Sequence, residues 1–544
     1  MATLNWIGKE AVVTHDKEVP FKLLKKVKGA SMGERSKNLI MHGDNLEALK
    51  ALMPYYFGKI KCVYIDPPYN TGSEEWVYND KVDSPKIKQW LGNVVGRESE
   101  DLTRHDKWLS MMYPRMSLLK DLLHTEGVIF VSVDDHEVGN SKYLLDEIFL
   151  RKNFLGTIVW RNVTDNNPSR VAVEHEYIHC YAKDISQLAP VWKSKISAAK
   201  DILIEIGKKL IKQYKDATQL QEEYGKWFKT NKQYLGKLDR YKYIDSGGVY
   251  TGSQSVHNPG KEGYRYDVIH PVTKKPCKQP LMGYRFPERT MKELISADKI
   301  LFGETEEKII ELKLYAHEFV DKLPSVIELD GRLGMYDLRE LFPEKNKIFN
   351  NPKPVELIKH LLSFATTKDD IILDSFAGSG TTGHAVLSLN GDDGNTRNFI
   401  LIEMEDHIAK STTAERVARA IKRFGYKAGF EYCELDKPLF DENGQIDESC
   451  DFKQFATYIY FTETQTNIDA KKISGNYIGE SGDTEYYLLY KGKLENDLDR
   501  SALKIISDTD RKKVIYADRC LLDEDELVRY NITFKQIPYE VKVY

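Results

Sequence analysis

Ile371-Ile372-Leu373-Asp374-Ser375-Phe376-Ala377-Gly378-Ser379-Gly380-Thr381-Thr382-Gly383 reads as a short buried strand, a glycine-rich turn and the start of a helix. An aliphatic run without polar alternation suits a strand covered on both faces, as in a parallel sheet. Gly378 and Gly380 let the backbone turn tightly and approach a ligand closely. A strand passing through such a turn into a helix is the unit of an open, doubly wound α/β sheet, whose ligands sit over the strand carboxyl ends.

The same grammar extends outward in both directions. Lys61–Ile65, Gly127–Val133, Ile158–Trp160 and Tyr177–Tyr181 read as further strands, and His105–Leu123 carries apolar residues at helical spacing. Beyond the glycine turn, Phe399–Ile402 is a strand ending in Glu403, and Thr413–Phe424 a helix; Val355–Phe364 is a helix before the turn. These segments divide the chain into an N-terminal arm (1–37), a first α/β part (38–184), an insertion (185–343), a second α/β part (344–430) and a small C-terminal α/β domain (431–544), in which Tyr458–Phe461 and Tyr486–Tyr490 are expected strands. Within the insertion, residues 193–242 hold thirteen basic and six acidic residues, a difference of +7, interleaved with aromatic side chains. Ile202, Ile206, Leu210 and Tyr214 lie there at helical spacing.

Composition sets limits. At 544 residues with 41% hydrophobic and 30% charged residues, the chain fills several folded units. Its net charge of -4 neither favours nor excludes nucleic acid, because only a local basic face is needed. The six cysteines form no C-x-x-C pair, and His105, His136, His175, His179, His257 and His317 lack metal-ligand spacing, so no metal site is expected. Without a signal-like N-terminus or an apolar run of about 18 residues, we expect a soluble, cytoplasmic protein and no membrane partner.

The glycine turn leaves its ligand open. The absence of a lysine after Gly383 excludes a phosphate-binding P-loop. Gly378, Gly380 and Gly383 match G-x-G-x-x-G, and Glu403 follows about 20 residues on, as a ribose-binding acid does. A nicotinamide dinucleotide, S-adenosylmethionine and a purely structural turn all remain compatible with it.

Asp66-Pro67-Pro68-Tyr69, continued by Asn70-Thr71-Gly72, directly follows the Lys61–Ile65 strand. Paired prolines end the strand and hold its tip rigid at the ligand-binding edge. An exocyclic amine on a nucleobase is a poor nucleophile because its lone pair is delocalised into the ring. The Asp66 carboxylate and the Pro67 carbonyl offer two adjacent acceptors that draw both amine protons out of the ring plane. Tyr69 can stack on the base, which must leave the duplex to be reached. The bland alternative is a rigid Pro-Pro turn with a locally bonded Asp, but it does not account for the whole seven-residue run.

Asp66–Tyr69 resembles the catalytic motif of amino-methyltransferases, and Phe376–Gly380 resembles their cofactor loop. The catalytic motif preceding the loop is the order of the β class. Asn5–Lys9, Gly43–Asn45, Asp66–Gly72, Trp76–Asp80, Asp165–Asn167, Glu174–Tyr177, Asn351–Leu357 and Asp374–Gly383 together resemble the modification (Mod) subunits of type III restriction–modification systems. The resemblance covers residues 1–183 and 345–425. It implies a Rossmann-like, S-adenosylmethionine-dependent sheet with permuted motif order and an inserted target recognition domain, methylating adenine N6 in double-stranded DNA. Asp66, Pro67, Pro68 and Tyr69 would be catalytic, with Asn70 and Thr71 shaping the base pocket. Asp374, Phe376, Gly378 and Gly380 would line the methionine side of the cofactor, Glu403 would take the ribose, Asp44 the adenine amine, and Lys353 and Pro354 would lie alongside. Ser375 departs from the bulkier residue common at that place. The implied partners are DNA, a second copy of the chain and a helicase–nuclease (Res) subunit.

Three alternatives stand beside this reading. The acceptors of Asp66 and Pro67 fit cytosine N4 as well as adenine N6, so a cytosine-N4 enzyme or a stand-alone epigenetic enzyme is compatible. A nicotinamide-dependent oxidoreductase explains the glycine turn but not Asp66–Gly72. A DNA-specificity module without turnover has no use for Asp66 and Tyr69. For 193–242, a solvated helical hairpin or an arm touching a second subunit competes with DNA binding.

Overall fold

The structure is a computed structural model that describes residues 4–537 apart from 34–35, 71–84, 97–102, 164–169, 195–197, 233–234, 259, 346–347, 441–445, 447–449, 469–471, 493–494 and 507–508. The chain forms two compact units, 1–190 with 324–544 and 191–323.

The larger unit is built on a ten-stranded sheet. Its order is Lys22–Lys26, Glu431–Pro438, Leu39–His42, Asn398–Glu403, Ile371–Asp374, Ile60–Ile65, Leu123–Val133, His175–Ala182, Phe154–Arg161, Val326–Glu328. The six strands from Glu431–Pro438 to Leu123–Val133 run parallel to one another. Lys22–Lys26 and His175–Ala182 run against their neighbours. The central strands bury nearly every side chain, including Ile40, Cys62, Val63, Ile65, Ile372, Leu373, Ile400 and Leu401, which is why their sequences lack alternation.

Helices cover the sheet on both faces, as short parallel strands require. Arg104–Leu122 starts with a capping box between Thr103 and Asp106, buries Trp108, Met112, Leu119 and Leu122, and packs on Asn45–Tyr56. Val355–Ala365 and Thr381–Asp393 pack together beside Ile371–Asp374.

Two expectations need correction in the C-terminal segment. Tyr458–Phe461 is not a strand but part of the helix Phe452–Thr464. Asp451 caps that helix reciprocally with Gln454, and Phe455, Ile459 and Tyr460 form its buried stripe. Glu431–Pro438 joins the large sheet rather than a separate one. The remainder forms a four-stranded sheet, Tyr477–Ser481, Thr484–Leu488, Lys512–Ala517 and Ile532–Gln536.

The unit 191–323 has its own core. Helices Ala198–Gln213 and Ala217–Asn231 pack on an antiparallel sheet ordered Tyr243–Asp245, Gly248–Ser253, Glu311–Tyr315, Ile300–Leu301. Leu203, Leu210, Leu220, Tyr224 and Tyr241 fill the space between. Of the four residues at helical spacing, Ile206, Leu210 and Tyr214 pack on this core, while Ile202 is exposed and its neighbour Leu203 is buried. Lys208, Lys209, Lys212 and Lys215 face solvent near the end of the first helix. Of the insertion expected at 185–343, Val326–Glu328 is instead an edge strand of the large sheet. Among the described residues no helix is long and apolar enough to cross a membrane.

Candidate active site

Ile371–Asp374 and Ile60–Ile65 are hydrogen-bonded neighbours, with Leu373 opposite Val63 and Ile372 opposite Cys62. In parallel strands this register sends Asp66 and Phe376 off the same edge of the sheet at the same level. The two motifs singled out in the sequence therefore meet at the carboxyl ends of adjacent strands, where open α/β sheets hold ligands. Tyr64, Asp66, Phe349, Lys353, Asp374 and Phe376 line a small, partly open pocket between them.

The Asp66–Tyr69 tip is held from below. Trp108, fully buried, donates its indole N–H to the Pro68 carbonyl at 2.6 Å. Asn70 takes φ 63°, in the left-handed region that Asn tolerates, and donates to the buried Glu137 and to the Arg104 carbonyl. His105 and Asn140 complete the shell around Glu137. Thr71, and with it Trp76–Asp80 and Asp165–Asn167, lies outside the described residues.

The Tyr69 hydroxyl lies 2.5 Å from Asp66 Oδ1 and 2.9 Å from Glu176 Oε2. Lys353 Nζ donates to that hydroxyl at 2.8 Å and pairs with Asp66 Oδ2 at 2.8 Å and Glu176 Oε2 at 3.2 Å. Burial pulls the Lys353 ammonium down, but Asp66 and Glu176 outweigh it and hold the group above the usual lysine range. Burial, then the charges of Asp66 and Glu176, push the Tyr69 phenol well up, so it stays neutral. Lys353 was expected beside the cofactor; its ammonium sits on the Asp66 carboxylate. Glu176 belongs to the Glu174–Tyr177 run, whose sequence carried no assigned role.

The glycine turn is equally constrained. Gly378 and Gly380 take φ 49° and 78°. The Gly378 N–H donates to Glu403 Oε2 at 3.0 Å and the Glu405 N–H to Oε1 at 2.8 Å, so the fully buried Glu403 braces the loop through both oxygens. Asp374 accepts from the Phe376 N–H at 3.0 Å and from Thr382 Oγ1 at 2.5 Å. Burial still raises its carboxyl to about 7, with the charge of Asp66 adding to the effect. Asp44 caps the helix Asn45–Tyr56 through Oδ1 and meets Arg115 through Oδ2 at 3.4 Å. Pro354 is the N-cap of Val355–Ala365 and fixes the approach of Lys353. Elsewhere, His42, Asp406 and Glu434 come close enough to share an ion, but Lys410 already pairs with both carboxylates at 2.9 and 3.0 Å.

Against known proteins, residues 60–415 match the family described as DNA methylase, which groups N6 and N4 enzymes. The chain belongs to this DNA methylase family. The family match spans both the Asp66 tip and the glycine turn, and it removes the nicotinamide alternative. The chain is also similar to three type III restriction–modification Mod subunits. It is 47% identical to EcoP15I Mod of Escherichia coli over 74% of this chain and 64% of that one. It is 32% identical to StyLTI Mod of Salmonella typhimurium over 70% and 55%. It is 30% identical to EcoPI Mod of Escherichia phage P1 over 79% and 66%. The chain thus matches these relatives over 55 to 66% of their length.

Proposed function

We propose that this chain transfers a methyl group from S-adenosylmethionine to adenine N6 in double-stranded DNA, as the modification subunit of a type III restriction–modification system. The observation that carries this reading is the pairing of Ile60–Ile65 with Ile371–Asp374, which sets the Asp66 carboxylate beside the glycine turn. Similarity to the Mod subunits supports the type III assignment.

The residues of the turn suit the cofactor. Arg416, buried beneath the loop, donates from Nη1 to Ser379 Oγ at 2.8 Å and Thr381 Oγ1 at 2.6 Å. An arginine cannot accept, so neither hydroxyl can donate back to it. The two hydroxyls lie 3.1 Å apart and can pass one proton between them, and the other has no acceptor among the described residues. That donor, at the start of the helix Thr381–Asp393, suits a carboxylate. Asp374, Phe376, Gly378 and Gly380 would then hold the amino-acid end, with Glu403 and Asp44 toward the ribose and adenine. When bound, the cofactor supplies a methyl group on a sulfonium leaving group.

The chain's own part is positioning. Asp66 and the Pro67 carbonyl accept from the two amine hydrogens of an extruded base, and Tyr69 stacks on its ring, with Pro68 and Asn70 fixing the tip. A cationic sulfonium near Asp374 favours its ionised form. We therefore expect cofactor affinity to rise with pH through about 7, with proton release on binding, as the carboxyl titrates. Calorimetry in two buffers checks this: Asp374→Asn should lose the dependence, and a wild type that binds equally from acid to alkaline pH contradicts it.

Residues 191–323 are our candidate for the DNA-reading unit, their exposed lysines supplying phosphate contacts. The assembly we propose is a homodimer acting on DNA in the cytoplasm with a Res subunit, one copy reading and the other methylating. Exchanging 191–323 for the same unit of a relative should change the methylated sequence while the product remains N6-methyladenine. Methylation-aware sequencing, nucleoside mass spectrometry and the mass in solution read all three points. An unchanged motif places reading elsewhere, N4-methylcytosine overturns the base assignment, and an active monomer removes the division of labour.

A further inference from the structure

Lys353 has three N–H donors and meets three acceptors, Asp66 Oδ2, Tyr69 Oη and Glu176 Oε2. Its ammonium also faces the rings of Tyr69 and Trp160, 4.9 and 5.7 Å from their centroids. Glu176 is aimed in turn by Asn162 Nδ2, which donates to Oε1 at 2.7 Å. The titratable groups around this cluster are Asp66, Tyr69, Glu176, Tyr64 and, across the strand pair, Asp374. With both tyrosines neutral, Asp66, Glu176 and Lys353 sum to one negative charge.

Two carboxylates here share a single phenol proton, since the Tyr69 hydroxyl reaches an oxygen of each. Like charges that close in a mostly buried pocket cannot both stay ionised without a cation, and one of them takes a proton. On Asp66 that proton is disabling. It turns an acceptor into a donor at the atom that must accept from the target amine.

We propose that Lys353 is a positioning residue that keeps Asp66 ionised and aimed, and that Glu176 is the anchor holding Lys353 in place. The proposal rests on the reading that Asp66 accepts from the target amine. Neither Lys353 nor Glu176 needs to touch the base. Glu176 instead explains how a lysine at a helix start is kept over a strand tip that lies far away in the chain.

The test is kcat against pH at saturating cofactor and DNA, for Lys353→Met, Glu176→Gln and the double variant. In the wild type we expect kcat to be level across neutral pH. In Lys353→Met the carboxylate pair loses its cation and its titration moves up. The ionised form is then lost below that point, so kcat falls at least about tenfold at neutral pH, for a shift of one unit past it, and recovers as pH rises. Removing the second carboxylate should reverse this: the double variant regains activity at neutral pH and its profile moves back toward acid. A packing role for Lys353 cannot produce that rescue. A Lys353→Met profile parallel to the wild type, or a double variant no better than Lys353→Met, overturns the proposal. Should Lys353→Met fail to fold, Glu176→Gln alone decides: loss of the anchor lowers kcat several-fold with KM for DNA unchanged, and an unchanged kcat refutes the anchor. Failure of the underlying reading looks different, because Asp66→Ala would then remain active.

Discussion

Asp66→Ala is expected to lower methyl transfer by roughly 10²–10⁴-fold, the range for removing one positioned catalytic group, while leaving cofactor binding nearly intact. Asp66 accepts from Tyr69 and Lys353, and neither bond involves the glycine turn. Removing it leaves Glu176 to neutralise Lys353, so no buried charge is stranded and the chain should stay folded. Transfer of labelled methyl groups to DNA, read beside calorimetric titration with S-adenosylmethionine, separates the two effects. Near-normal turnover in the variant removes Asp66 from the chemistry. Lost cofactor affinity at normal stability would instead place Asp66 in the cofactor site.

Gly380→Asp should act on the other half of the pocket and abolish measurable cofactor binding. Gly380 sits at φ 78°, and a Cβ there would lie 3.0 Å from the Thr413 carbonyl oxygen. The loop must shift away from its support, and the new carboxylate repels an anionic ligand end. The left-handed conformation adds a stability loss of about 1–2 kcal/mol. Gly394→Asp is the control, because Gly394 has φ 71° but open space where its Cβ would stand. It should lose comparable stability yet bind cofactor normally. Equal binding by both variants would take the turn out of the cofactor site.

The central strands and the two motifs were legible because their signals are local. Aliphatic runs ending at glycine or proline mark buried strands wherever they occur. Tyr458–Phe461 misled because four apolar residues fit a strand or a buried helix equally. The deciding signal lay outside the run, in the spacing of Asp451 and Gln454. Leu203 rather than Ile202 heads the buried stripe of its helix, because two adjacent aliphatic residues fit the spacing about equally. The Lys353–Glu176 contact was illegible for a different reason. It joins residues brought together only by the sheet order, and a lone lysine before Pro354 says nothing about which carboxylate it meets. Arg115 and Trp108 were hidden likewise, inside a helical pattern whose apolar period gives no hint of a polar atom's partner.

The adjacency of Ile60–Ile65 and Ile371–Asp374 also constrains how the chain is made. A ribosome adding about 5–20 residues per second needs roughly 15–60 s to pass from one strand to the other. Once Leu123–Val133 has been made, the nascent Ile60–Ile65 strand can pair with it but lacks its neighbour on the other edge until Ile371–Asp374 follows. Residues 191–323 hold a core of their own and can fold meanwhile. The open edge is apolar and parallel-pairing, the kind that templates association between chains. A chain truncated before Ile371 would keep the whole Asp66 tip and still be expected to aggregate.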